Sequence, residues 1–144
     1  SVETSVPPDF QSPQKFKCLS PIVVSGKHFH DGREHEYFLR GDDENLSAAI
    51  RKNLIHKFHL VHQKAPENDA LEFSLDPDYV RRKGGVGKIS KLITIKENHA
   101  AEATHIKAFE SLFYLDGSTE LMQIAWECGI GQRNSMGFGM IGVI

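Results

Sequence analysis

Gly129-Ile130-Gly131-Gln132-Arg133-Asn134-Ser135-Met136-Gly137-Phe138-Gly139-Met140-Ile141-Gly142-Val143-Ile144 is the stretch that decides how the rest of the chain is read. Gly129-x-Gly131 and Gly137-x-Gly139 are separated by five residues. A helical pattern leads into the first pair and a strand pattern leaves the second. Glycine recurs where the backbone takes φ > 0 or where another backbone comes very close. One glycine after a helix is only a cap. Four at this spacing, with Arg133, Asn134 and Ser135 between the pairs, predict a loop shaped to lie against something. The spacing also predicts that neither Gly131 nor Gly137 takes a side chain without loss, through φ > 0 or close approach.

Two phosphate-binding loops are excluded by the residues they require. The dinucleotide fingerprint needs Gly-x-Gly-x-x-Gly between a strand and a following helix. Here the sixth position is Asn134 and the helix precedes the loop. A P-loop needs glycine five residues before its Gly-Lys pair and Ser or Thr after the lysine. Around Gly87-Lys88 those positions hold Arg82 and Ile89.

At 144 residues the chain suits one domain with a real core. Apolar residues make up 40% and charged residues 25%, as in ordinary globular proteins. No apolar run approaches membrane-spanning length and no signal-peptide pattern opens the chain, so no membrane partner is expected. The formal net charge of −2 gives no global attraction to nucleic acid, so any such affinity must be local. Cys18 and Cys128 lack zinc or redox spacing and read as small buried hydrophobes in a reducing cytoplasm. Residues 1–14, with Pro7, Pro8 and Pro13, read as a linker or extended arm ahead of a domain spanning 15–144.

Lys15–Ser25 reads as a strand. A polar turn through His28, His30, Asp31, Gly32 and Arg33 returns along Tyr37-Phe38-Leu39-Arg40 as a hairpin partner. Leu46, Ile50, Leu54, Phe58 and Val61 form one face of an amphipathic helix, which leaves Lys52, His56 and His59 on the wet face. His28, His30 and His35, like His56, His59 and His62, lack the spacing of a metal site, and no cofactor is expected. Leu71–Leu75 alternates as a strand, broken by Asp76-Pro77-Asp78-Tyr79. Between Arg81 and Lys96 lie six basic residues and no acidic one. Arg81–Lys88 reads as a flexible basic loop and Lys88–Ile95 as strand-like. Arg81, Arg82, Lys83 and Lys88 are the chain's concentrated positive patch and its candidate phosphate contacts. His105–Leu115 reads as one long central strand, whose Phe109 and Phe113 serve either as core or as stacking platforms for bases. Ser118 caps a helix that buries Leu121, Ile124, Ala125 and Cys128. The order fits an α+β, ferredoxin-like (RRM-like) βαββαβ domain with extra hairpin strands and a C-terminal glycine-rich loop.

The run from Gly117 through Gly139 to the end resembles the glycine-rich signature of the CRISPR-associated repeat RNA-processing endoribonucleases of the RAMP superfamily. Phe16-Lys17-Cys18-Leu19-Ser20-Pro21-Ile22-Val23-Val24 is similar to the Leu-Ser-Pro strand that opens that family's second domain. The resemblance covers about Lys15 to Ile144. It implies two tandem ferredoxin-like domains, of which this chain looks like the second. It implies metal-independent RNA cleavage, in which a 2′-hydroxyl attacks the adjacent phosphate and the 5′-oxygen leaves. It also implies that the histidine, tyrosine or lysine of that chemistry lies in the preceding domain, so no catalytic residue is carried over. The partners it implies are CRISPR repeat RNA, the preceding N-terminal domain and a CRISPR effector complex. The helix end before the glycine loop repels phosphate. RNA contact there would therefore come from Arg133, Asn134, Ser135 and the N–H groups of a loop shaped by Gly129, Gly131, Gly137 and Gly139. Two alternatives stay open: a non-catalytic RNA-binding RAMP subunit, and a protein-interaction module whose basic stretch meets an acidic partner.

Overall fold

A computed structural model describes residues 6–96 and 103–144. Four strands make the main sheet: β1 (Gln14–Cys18), β4 (Leu71–Leu75), β7 (Leu112–Gly117) and β8 (Ile141–Val143), in the order β4-β7-β1-β8. Every neighbouring pair is antiparallel. The crossovers are α1 (Leu46–His62), between β1 and β4, and α4 (Thr119–Cys128), between β7 and β8. This is the ferredoxin-like βαββαβ arrangement that the sequence order predicts.

Alternation along the strands places the core on one sheet face. Phe16, Phe73, Phe113, Leu115 and Ile141 point to the face that both helices cover. From α1 come Leu46, Ile50, Leu54 and Phe58, and from α4 Leu121, Met122, Ile124 and Ala125. Phe113 stacks between Phe16, at 5.6 Å, and Phe73, at 5.0 Å. Truncating a fully buried Leu54 to alanine would cost roughly 2–5 kcal/mol. Ser118 caps α4 as its sequence predicts, accepting from the Leu121 N–H at 3.2 Å.

Two insertions decorate the sheet. Between β1 and α1 stands a hairpin of β2 (Ser25–His30) and β3 (Arg33–Phe38), turned at Asp31-Gly32. Between β4 and β7 come two short helices, α2 (Pro77–Lys83) and α3 (Val86–Ile89), then a ribbon of β5 (Ser90–Ile95) and β6 (Thr104–Phe109). A second apolar cluster of Val23, Ile106, Ala108 and Phe138 fastens this ribbon to the glycine-rich loop.

Several expectations change. Lys15–Ser25 is not one strand: β1 stops at Cys18, Ile22 and Val23 form isolated bridges, and β2 begins at Ser25. Pro21 has no N–H to extend a ladder. The run His105–Leu115 divides at Glu110-Ser111, because β6 pairs with β5 whereas β7 pairs with β1 and β4. The basic loop is helical. Asp76 caps α2 by accepting from the Asp78 N–H at 3.0 Å, and Pro77 opens the helix. Lys15 Nζ lies 3.1 Å from Asp76 Oδ2 and holds that carboxyl below its ordinary range. Phe109 and Phe113 are 1% and 0% exposed, so they are core and not base platforms. Val61 and Cys128 are not buried on their helices. In the N-terminal arm, residues 1–5 lie outside the described residues. Phe10 packs 5.7 Å from Phe16, and the Ser12 hydroxyl donates to Asp116 at 2.6 Å while accepting from the Gly117 N–H.

Candidate nucleic-acid interface

The loop between α4 and β8 is built against three neighbours. Its first contact is the segment after β1. The Gln132 N–H donates to the Val23 carbonyl at 2.7 Å and the Gly139 N–H to the Pro21 carbonyl at 2.7 Å. Inside the loop the Ile130 N–H donates to the Gly139 carbonyl at 2.9 Å. Gly131 runs parallel to Val23 with φ +76, and a Cβ there would overlap the Val23 carbonyl oxygen. Close approach and left-handed φ therefore coincide at Gly131. Gly137 meets the expectation through its φ alone. Its φ is +93, but a Cβ there would meet nothing within 4 Å. Its constraint is conformational only.

Helix α1 supplies the second contact. Asn53 and Lys57, one turn apart, flank the apolar stripe and reach the loop backbone. Asn53 takes both polar groups of Gly131, accepting from its N–H at 3.0 Å and donating to its carbonyl at 3.1 Å. Lys57 Nζ donates to the carbonyls of Gly129 at 2.8 Å and Gly131 at 2.9 Å. Gly129 closes α4, so this ammonium sits where the helix dipole is negative. Burial pushes Lys57 down to about 8. The periodicity of α1 places Asn53 and Lys57 beside the apolar face and says nothing about what they grip.

The hairpin is the third contact. Arg133 has φ +61 and its guanidinium pairs bidentately with Glu36 on β3, both bonds 2.9 Å. Its carbon lies 5.7 Å above the Phe38 ring. The guanidinium holds the Glu36 carboxyl below its ordinary range, and the pair raises Arg133 in turn. Gln132 joins the same contact, its Oε1 accepting from the Ser25 N–H at 2.7 Å. Asn134 is turned inward, donating to the carbonyls of Ile130 at 3.1 Å and Phe138 at 2.9 Å. Of the three polar residues that the sequence singles out, only Ser135 is fully at the surface without such a bond. A phosphate reaching Arg133 meets a guanidinium already charge-paired with Glu36, two of whose five N–H donors that pair uses.

The other candidates, Arg81, Arg82, Lys83 and Lys88, all lie exposed on α2 and α3. Arg81 pairs with Asp78, and Lys83 Nζ sits 5.4 Å above the Tyr79 ring. The last turn of α2 thus gathers three cations at a helix C-terminus, where the dipole favours them. Among the described residues, no hydrogen bond or ion pair joins α2 or α3 to the glycine-rich loop. The hairpin histidines lie ring to ring, His28 at 5.7 Å and His30 at 6.2 Å from His35. Among the described residues, no three His, Cys, Asp or Glu side chains are placed to hold a metal ion. No described helix is long and apolar enough to cross a membrane.

The chain is a ferredoxin-like domain whose last crossover ends in a braced glycine-rich loop. Residues 5–143 match the family described as CRISPR associated protein Cas6, C-terminal, and the chain belongs to that family. It is 27% identical over 129 residues to a putative CRISPR-associated endoribonuclease-like protein Cas6 of Pyrococcus furiosus, covering 90% of this chain and 47% of that protein. It is 24% identical over 132 residues to CRISPR-associated endoribonuclease Cas6 1 of Methanocaldococcus jannaschii, covering 90% of this chain and 46% of that one. The chain therefore spans about half the length of the curated relatives it matches. Among solved structures, a Cas6-related gene product from Pyrococcus furiosus superposes with a TM-score of 0.77 at 22% identity, over 99% of this chain and 51% of that one. A RAMP protein described as binding different RNA substrates gives 0.76 at 21% identity, over 97% and 52%.

Proposed function

We propose that this chain is the RNA-binding C-terminal half of an endoribonuclease that processes CRISPR precursor RNA in antiviral defence. The observation that carries the reading is the family match over residues 5–143. A relative named as a CRISPR-associated endoribonuclease, of which this chain spans about half, supports it. The exposed cations of α2 and α3 supply the local positive charge that an overall acidic chain needs to hold a phosphate backbone. Arg81, Arg82, Lys83 and Lys88 make those contacts. Ser135 and the loop around Arg133 make a second set.

The cleavage is metal-independent. A 2′-hydroxyl attacks the neighbouring phosphate, which requires a base at the hydroxyl, an acid at the leaving oxygen and a cation for the charge that develops. Those groups belong to a preceding N-terminal domain, and this half holds the RNA in register. The partners are the CRISPR repeat RNA, that domain and an effector complex, in the cytoplasm. One observation favours a second reading, a non-catalytic RNA-binding subunit: two of the curated relatives carry the printed name endoribonuclease-like. The test incubates the intact protein containing this domain with repeat RNA in EDTA. Site-specific cleavage supports the nuclease, binding without cleavage supports the second reading, and no binding overturns both.

A further inference from the structure

The strip of α1 that grips the glycine-rich loop also forms one wall of an open cleft of 370 Å³. His56 follows Lys52 by four residues and Asn53 by three, so it neighbours each of them on the helix surface. The opposite wall is the hairpin, with Ser25 and Tyr37, and the glycine-rich loop closes one end with Gln132. No lining residue is acidic. The volume is that of a small-molecule site, which runs from roughly 300 to 1,000 Å³.

Tyr37 is the distinctive member. Its ring lies directly over Gly26, where a Cβ would collide with the ring and its hydroxyl. The tyrosine nevertheless stays 44% exposed. An aromatic ring backed by glycine and open to solvent is a stacking platform. The Lys52 and His56 side chains make no hydrogen bond or ion pair among the described residues, and both residues are exposed. Gln132 spends its Oε1 on the Ser25 N–H, which leaves its Nε2 without a partner among the described residues. One platform, two basic groups and one amide donor line the cleft, and the nearby Glu36 carboxylate is paired with Arg133.

We infer that this cleft seats one unstacked nucleotide of a single-stranded RNA segment. The base stacks on Tyr37, its phosphate meets Lys52 and His56, and Gln132 Nε2 donates to a base or sugar oxygen. An aromatic platform of this kind needs a base already out of a helix, so duplex RNA does not fit. The Gln132 contact gives the braced loop a role: it fixes the position of a donor at the mouth of the cleft. The inference rests on the RNA-binding reading above and concerns residues other than those of α2 and α3.

The test measures binding of the chain to a fluorescent single-stranded RNA decamer, for the parent, Tyr37→Ala, Tyr37→Phe, Lys52→Ala, His56→Ala and an Arg81/Arg82/Lys83 triple-alanine variant. Thermal melts check that each variant folds. Tyr37→Ala weakens binding roughly 5- to 150-fold, the range of one lost base–aromatic stack, and Tyr37→Phe retains it. Lys52→Ala makes the salt slope shallower by about 0.7, the value for one contact on a single strand. Irradiated 4-thiouridine RNA crosslinks to the peptide carrying Tyr37 or to the one carrying His56. If the parent binds RNA and the triple variant weakens it, but the Tyr37, Lys52 and His56 variants all match the parent, the cleft inference fails and the RNA-binding reading stands. If the parent binds no RNA, both fall.

Discussion

Gly131→Ala should be one of the most damaging single-methyl changes in the chain. Alanine at φ +76 pays about 1–2 kcal/mol for left-handed backbone. The new Cβ overlaps the Val23 carbonyl oxygen, a backbone atom that cannot swing aside. Moving it breaks the 2.7 Å bond from the Gln132 N–H. It also disturbs the Asn53 bonds to Gly131. Each lost bond costs about 0.5–1.5 kcal/mol. Together the loss is about 2–5 kcal/mol, a large part of the 5–15 kcal/mol of a typical domain. Gly137→Ala is the control, with φ +93 and open space around the new methyl. It should cost only about 1–2 kcal/mol. Urea denaturation followed by far-UV circular dichroism measures both. Equal midpoints for the two variants would refute the close-approach argument and leave only a φ preference at Gly131.

Other outcomes follow from the same contacts. Lys57→Met removes the ammonium from two carbonyls and should cost about 1–3 kcal/mol in the same denaturation assay. The Arg133–Glu36 pair is part-exposed, at 23% and 30%, so Glu36→Gln should cost about 1 kcal/mol or less near neutral pH. Glu36 is held below its unfolded value of about 4.3 by Arg133. The pair's contribution is therefore fully present above that value and is lost as pH falls through the lower folded one. Acidification from pH 5 to 3 should destabilise the parent more than Glu36→Gln, and identical acid midpoints would contradict this. Replacing Arg81, Arg82 and Lys83 with alanine should reduce the salt slope of single-stranded RNA binding by about 2, from three lost contacts.

The βαββαβ frame was legible because its signals are local. The four-residue recurrence of Leu46, Ile50, Leu54 and Phe58 and the cap at Ser118 each lie within one element. Where the reading failed, a distant partner decided the outcome. Residues 105–115 alternate without interruption, and only the change of neighbour at Glu110-Ser111 divides them. Asp76-Pro77 fits a break after a strand, but a capping aspartate followed by proline also begins a helix, as it does here. The glycine spacing revealed a loop lying against something. It did not reveal that Asn53 and Lys57, more than seventy residues earlier, would hold it. Arg133 looked free for phosphate because its partner Glu36 is 97 residues away. Charge runs show in a sequence, whereas ion pairs that neutralise them across the fold do not.

The central claim is that this domain holds RNA with its own cations and does not cut it. The most direct measurement titrates the chain with a CRISPR repeat RNA in EDTA at several salt concentrations, following binding by anisotropy and RNA integrity on a denaturing gel. The account predicts weak binding that falls steeply with salt, and intact RNA throughout. Salt-independent or absent binding would contradict the RNA-holding role. Site-specific cleavage, abolished by changing one of this chain's own histidines, would contradict the assignment of chemistry to a preceding domain.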